Sequence, residues 1–334
     1  RFFNVPLRKS YTPEATTPGV WAIPSPETSA DFSATAWYFA TYLSEVLDIP
    51  VGIISCAHGG SRVESWLPED ILKTYSDVSL KKEDIEAMEH YVRPMMMYNA
   101  MFYPVRNYTV DGIIWYQGCS NVGADETYAD RLATMVSRWR SDMGTDESVP
   151  FYAVEIAPFD YEGTQDNRAP YLREAQWKAI EMIPNSGMIC INDLVEPYER
   201  FNIHPQDKKN VGHRLANLAL NKTYGKTQFP VRHPRYKSHT VKGNEVWVAL
   251  DDLDMGICRN YDIEGFEVAG ADGRYYPAVA SELLDTRQIK VYAPEVAEIK
   301  NVRYNFKNFG RGRVTNLLGL PLLPFATDRP KSAE

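Results

Sequence analysis

The chain has 334 residues, enough for one large domain or two smaller ones with a substantial core. Hydrophobic residues at 44% and charged residues at 24% are ordinary values for a folded globular protein and argue against disorder. Lys and Arg number 36 against 44 Asp and Glu, a net charge of −8 without a basic run, which disfavours nucleic-acid or anionic-membrane partners.

The chain opens at Arg1 inside a strand-like run, Arg1 to Val5, so further sequence is expected upstream. Ala36, Phe39, Ala40, Leu43 and Leu47 then mark the apolar face of a helix. Short apolar runs at Val51–Ser55, Val110–Tyr116, Phe151–Ile156 and Gly187–Ile191 lack polar alternation, as strands do when both sheet faces are covered. Between them, Tyr128, Leu132, Met135, Val136 and Trp139 recur at helical spacing. A further helix is expected after Pro205, with Val211, Leu215 and Leu218 inward. Alternating strand and helix predicts an α/β domain with a parallel sheet over residues 1–228.

From about residue 230 the pattern changes to alternation, at Val246, Val248 and Leu250, at Ile289 and Val291, and at Val302, Tyr304 and Phe306. Gly270 to Gly273 reads as a hairpin turn. Residues 229–334 are therefore predicted to be a small C-terminal antiparallel β-domain. No apolar stretch approaches the roughly 20 residues of a membrane span. The four cysteines, Cys56, Cys119, Cys190 and Cys258, lie too far apart for a C-x-x-C metal pair or a dense disulfide framework, and read as buried small hydrophobes. The six histidines show no metal-ligand spacing, so no metal is expected.

Ligands of α/β sheets bind beyond the carboxyl ends of the strands. The loops there are Cys56 to Trp66, Gln117 to Asn121, the segment beginning Ala157-Pro-Phe159, and Asn192 to His204. The first two contain glycines where the backbone can approach a ligand, and the last presents an imidazole at a helix start. A backbone N–H, an asparagine amide and a histidine acting on one carbonyl are what acyl transfer requires.

Three stretches carry a resemblance: Val51-Gly-Ile-Ile-Ser with the following Gly59-Gly-Ser61 and Glu64-Ser-Trp66; Gly112-Ile-Ile-Trp-Tyr-Gln-Gly-Cys-Ser-Asn121; and Ile203-His-Pro205 through Gly212. Together they resemble the sialate O-acetylesterase-like carbohydrate esterases of the SGNH hydrolase superfamily. The tail, at Gly265 to Gly273, Val302-Arg-Tyr304, Gly319-Leu-Pro321 and Phe325 to Asp328, is similar to that family's C-terminal β-region. The resemblance implies an SGNH-hydrolase-like, flavodoxin-like fold, a serine esterase that removes O-acetyl groups from sialic acid or an acetylated polysaccharide, no cofactor, and a secreted or periplasmic location. Residue by residue it implies His204 as general base, the Gly60 N–H and the Asn121 amide as oxyanion donors, and Gln117 in the same oxyanion or substrate-binding region.

The sequence departs from the family in three places. The family's Gly-Gln-Ser-Asn nucleophile element does not occur, and the segment that follows it in relatives is similar to Arg1 to Pro6, so the serine is expected upstream of Arg1. The family's aspartate three positions before the histidine falls on Phe201; Glu199, Glu196, a main-chain carbonyl or a Ser–His dyad could serve instead. Cys119 and His58 stand where a Glu and a Trp are common. Without the serine, a non-catalytic carbohydrate-binding protein on the same fold is the alternative. Tyr98 to Tyr103 and Met95 to Met97 read as core, with Asn99 a candidate cleft residue.

Overall fold

The computed structural model describes residues 1–161, 168–253 and 255–328. By compactness the chain divides into two units. The first comprises Arg1–Ile156, Tyr171–Ile189 and Asp207–Phe229; the second comprises Ala157–Pro170, Cys190–Gln206 and Pro230–Glu334.

The first unit is α/β. Its strands are β1 (Phe2–Asn4), β2 (Trp21–Ala22), β3 (Ile53–Ser55), β4 (Ile113–Trp115), β5 (Phe151–Val154) and β6 (Ser186–Ile189), with helices α1 (Ala34–Leu47), α2 (Glu69–Leu72), α3 (Lys82–Ala87), α4 (Asp125–Asp142), α5 (Ala169–Met182) and α6 (Lys208–Lys222). Strands β4, β5 and β6 form a wholly parallel sheet, Ile114 opposite Tyr152 and Ala153 opposite Met188. A second sheet has the order β2-β1-β3: β1 runs parallel to β3, and β2 joins antiparallel as an edge that the apolar pattern does not announce.

The three expected helices, α1, α4 and α6, form for identifiable reasons. Helix α1 is capped by the Ser33 hydroxyl, which accepts from the Ala36 N–H, and it ends at Asp48 in the left-handed conformation. Ala36, Phe39, Ala40 and Leu43 are buried, whereas Leu47 at the last turn is only half-buried. Helix α4 buries all five residues of its expected stripe and carries Asp125 and Glu126 in its first turn, where the helix dipole favours acids. Helix α6 begins at Lys208 rather than directly after Pro205, because the Asp207 carboxylate caps it by accepting from the Asn210 N–H. Gly212 lets α6 approach α1: a Cβ there would lie 2.6 Å from Tyr38 Cβ and 2.8 Å from the Thr35 carbonyl oxygen. Helix α5 escapes the periodicity argument, since Arg173 and Gln176 share its buried face with Leu172, Ala175 and Ala179.

The second unit carries β7 (Arg235–Lys242), β8 (Glu245–Asp251), β9 (Phe266–Ala269), β10 (Tyr275–Pro277), β11 (Val279–Leu283), β12 (Gln288–Tyr292), β13 (Asn301–Tyr304) and β14 (Phe325–Ala326). They make two four-stranded antiparallel sheets, β11-β12-β8-β7 and β10-β9-β13-β14. Val246, Val248, Ile289, Val291, Val268 and Val302 are fully buried in one core, the inward half of the expected alternation. The β9–β10 hairpin turns at Gly270 to Gly273, closed by the Gly273 N–H donating to the Gly270 carbonyl, with Gly273 at φ +70°. Among the described residues no helix follows α6, and none is long and apolar enough to cross a membrane.

Candidate active site

Within the first unit, two loops at strand ends are locked together. The loop after β3 makes a tight turn in which both the backbone N–H and the hydroxyl of Ser61 donate to the His58 carbonyl, at 3.3 and 2.8 Å. Trp66 Nε1 donates to the same hydroxyl oxygen at 2.9 Å. Ser61 is therefore a buried turn residue whose hydroxyl both donates and accepts inside the loop. Gly60 precedes it at φ +75° and is exposed; its N–H makes no hydrogen bond to any described residue. The loop after β4 turns at Gly118, φ +147°, where a Cβ would lie 2.7 Å from Ile156 Cγ2 and 2.9 Å from Gln176 Nε2. The Asn121 N–H then closes a 3-10 turn on the Gly118 carbonyl at 2.7 Å.

Side chains join the loops. Asn121 is 1% exposed; its Oδ1 accepts from the Val63 N–H at 3.0 Å and from Gln117 Nε2 at 2.7 Å. Its Nδ2 donates to Glu64 Oε2 at 3.1 Å, which leaves one amide N–H without a partner among the described residues. Gln117 Nε2 also donates to the Ser61 carbonyl at 2.9 Å, so both of its hydrogens are committed, and Tyr128 donates to Gln117 Oε1 at 3.0 Å. Gln176 holds the Gln117 carbonyl at 3.0 Å and accepts from the Ile156 N–H.

Beneath Asn121 lies a charged network that periodicity does not reveal. Arg131 of α4 donates through one nitrogen to Glu64 Oε1 at 2.5 Å and through another to both oxygens of Asp77 at 2.5 and 2.6 Å. Glu64 and Arg131 are buried; the Asp77 carboxylate is largely exposed. Hydrogen bonding to Arg131 holds the Asp77 carboxyl below its ordinary range. The sequence clue was a charged residue at 131, between Tyr128 and Leu132 on a buried stripe, beside the Glu64-Ser-Trp66 run already singled out.

The remaining candidates resolve differently. Desolvation pushes the half-buried Cys56 thiol up to about 12, which keeps it protonated and unsuited to nucleophilic attack near neutrality. Only Cys190 is fully buried; Cys56, Cys119 and Cys258 are half-buried, contrary to a uniformly buried set, and none of the four forms a disulfide. Met95 to Phe102 are core, and Asn99 is buried with its amide on the Ser10 carbonyl rather than lining a cleft.

His204 belongs to the second unit, on the loop that precedes α6. The loop is shaped by Glu199, buried in a 3-10 turn. The Glu199 carboxylate accepts from the Glu196 N–H at 2.9 Å and from the Gln206 N–H at 2.7 Å, tying the two ends of the loop together. The His204 N–H donates to Asn202 Oδ1 at 3.0 Å, and the exposed imidazole makes no hydrogen bond to any described residue. Glu196 pairs with Arg311 at 2.7 Å, and Phe201 is exposed. Of the orienting groups that the sequence leaves open, both glutamates are thus engaged elsewhere.

With this geometry in hand, comparison with known proteins gives a consistent result. The family model described as carbohydrate esterase, sialic acid-specific acetylesterase, matches residues 9–221. The chain belongs to this carbohydrate esterase family. Among curated proteins it is similar to the sialate O-acetylesterase of mouse, 26% identical over 245 residues covering 60% of this chain and 44% of that protein. It is similar to the rat sialate O-acetylesterase at 25% over 280 residues, covering 71% and 51%. The human sialate O-acetylesterase is 27% identical over 215 residues, covering 60% and 41%. The chain spans about half the length of these relatives. Among solved structures, a carbohydrate acetylesterase from Xanthomonas citri superposes with a TM-score of 0.84 at 30% identity, covering 98% of this chain and 73% of that one. The family resemblance and the α/β fold with added antiparallel sheets are both established by these matches and by the sheets described above.

Proposed function

We propose that this carbohydrate esterase chain supports hydrolysis of O-acetyl esters of a sugar, with O-acetylated sialic acid as the first substrate class to test and acetylated polysaccharide as the second. The observation that supports the reading is the Gly60 turn: an exposed glycine whose N–H has no hydrogen-bond partner among the described residues, held in place by the Ser61 contacts to His58, Trp66 and Gln117. Such fixed, unengaged donors stabilise the charge that develops on an ester carbonyl during attack, and each contributes roughly 2.7–4 kcal/mol.

In the proposed reaction a serine hydroxyl attacks the acetyl carbonyl carbon while His204 takes its proton. The tetrahedral oxyanion accepts from the Gly60 N–H and from the unengaged N–H of Asn121. Collapse breaks the bond to the sugar oxygen, which leaves with the proton from His204. Water then attacks the acetyl-enzyme as His204 takes its proton, and collapse breaks the bond to the serine oxygen, which receives that proton from His204 while acetate departs. Gln117, with both amide hydrogens committed, acts by positioning Asn121 and the Ser61 turn rather than by touching the oxyanion. Because both glutamates of the His204 loop have other partners, a Ser–His dyad or a main-chain carbonyl is the proposed orienting arrangement. A secreted or periplasmic location is proposed on family resemblance.

The test is acetate release from acetylated sugars by the gene-encoded protein, comparing wild type with Asn121→Asp. That substitution keeps Oδ1 for Val63 and Gln117 but removes the donor, so kcat is expected to fall about 10²–10³-fold. It also sets a carboxylate against Glu64, so the unfolding transition is measured alongside. A kcat within threefold of wild type in a folded variant would remove Asn121 from the oxyanion.

A further inference from the structure

Resting on that reading, we propose that His58, His90 and Tyr91 form the wall against which the sugar carrying the acetyl group packs. Tyr91 lies on Gly60 itself: a Cβ at position 60 would be 2.7 Å from Tyr91 Cδ2 and 3.2 Å from both Cε2 and Cγ. The aromatic ring is therefore in van der Waals range of the residue whose N–H is unengaged. His90 meets Tyr91 edge-on, ring centroids 5.3 Å apart at 80°, and meets His58 at 6.1 Å and 70°. The three rings make one continuous row beside the turn.

The row is anchored rather than incidental. Arg93 donates to the Glu86 and Met88 carbonyls at 2.8 and 3.2 Å, folding the segment that carries His90 and Tyr91 back on itself. The Met95 N–H donates to the Glu64 carbonyl at 3.0 Å, fastening that segment to the loop that Asn121 and Arg131 hold. His58 Nδ1 lies 3.0 Å from the Gly59 carbonyl, which can only accept, so this nitrogen donates and Nε2 points to no described hydrogen-bond partner. His90 is exposed and His58 and Tyr91 are half-buried, so the row offers ring surface and imidazole nitrogens to solvent.

This chemistry suits a pyranose. One face of the sugar presents C–H groups that pack on aromatic surface, and its hydroxyls donate to and accept from imidazole nitrogens. An ester whose carbonyl oxygen sits on the Gly60 N–H holds its sugar within a few ångströms of that residue, where Tyr91 stands. The wall acts on the leaving sugar and has no counterpart for an ester without one.

The experiment compares steady-state constants for an O-acetylated sialic acid and for ethyl acetate, in wild type, Tyr91→Ala, His90→Ala and Tyr91→Phe of the gene-encoded protein. The ratio of KM for the sugar ester to KM for ethyl acetate is expected to rise about three- to tenfold in Tyr91→Ala and His90→Ala, and to stay within twofold of wild type in Tyr91→Phe, which keeps the ring. His90 is exposed, so its substitution tests the wall even where loss of the Tyr91 ring disturbs the Gly60 turn. An unchanged ratio in both alanine variants overturns the wall while leaving the esterase reading intact. Wild type that releases acetate from neither ester overturns that reading and the wall with it.

Discussion

Replacing His204 with alanine is expected to reduce kcat/KM for acetyl-ester hydrolysis by about 10²–10⁴-fold, the range that a positioned general base supplies. The imidazole is exposed and makes no hydrogen bond to any described residue, so its removal takes away no native side-chain contact of that kind. The unfolding transition of His204→Ala should therefore match wild type, which separates chemistry from folding in one variant. Loss of less than threefold, measured by initial rates of acetate release, would take the base role from His204.

The second large effect is on stability. In Arg131→Met the Glu64 carboxylate stays buried without its counter-charge, and breaking a buried pair in this way costs about 3–5 kcal/mol. Asp77 contributes little to that figure because its carboxylate is largely exposed and screened. The double variant Glu64→Gln/Arg131→Met removes both charges and keeps an amide oxygen for the Asn121 Nδ2–H, so it should recover much of the loss. Urea unfolding at constant slope measures each difference. An Arg131→Met protein within 1 kcal/mol of wild type would show that Glu64 is stabilised by something other than this ion pair.

The stability of this network follows pH in a definite sense. The Asp77 carboxyl is held low in the folded state by Arg131, so its modest contribution is present above the unfolded carboxyl's titration and is lost as pH falls through the folded one.

Local spacing made much of the fold legible. The stripe from Tyr128 to Trp139 is buried residue for residue, and alternation at 246–250, 289–291 and 302–304 finds three strands of one core. Spacing fails where polar side chains are buried, since it counts apolar residues only. Helix α5 is the plain case: Arg173 and Gln176 occupy the inward face that a periodicity argument requires to be apolar.

The site was legible in part for the same reason. Gly60, Gln117, Asn121 and His204 are recognisable from the runs around them, but the surroundings of Gly60, Gln117 and Asn121 are set by residues far away in sequence. Glu64 meets Arg131 across 67 positions and Asn121 across 57, and Tyr91 reaches Gly60 from a different segment altogether. Nothing at Gln117 itself reveals that its two amide hydrogens end on the Ser61 carbonyl and the Asn121 oxygen.

The backbone N–H of Gly60, the proposed oxyanion donor, can be watched directly. Protein labelled with 15N-glycine and titrated with an O-acetylated sialic acid should show the Gly60 amide cross-peak moving saturably downfield, as a newly formed hydrogen bond requires. The same sugar without its acetyl group should leave that peak in place. A Gly60 resonance that does not respond while the acetylated sugar binds, or that responds equally to both sugars, would show that this turn does not hold the ester oxygen.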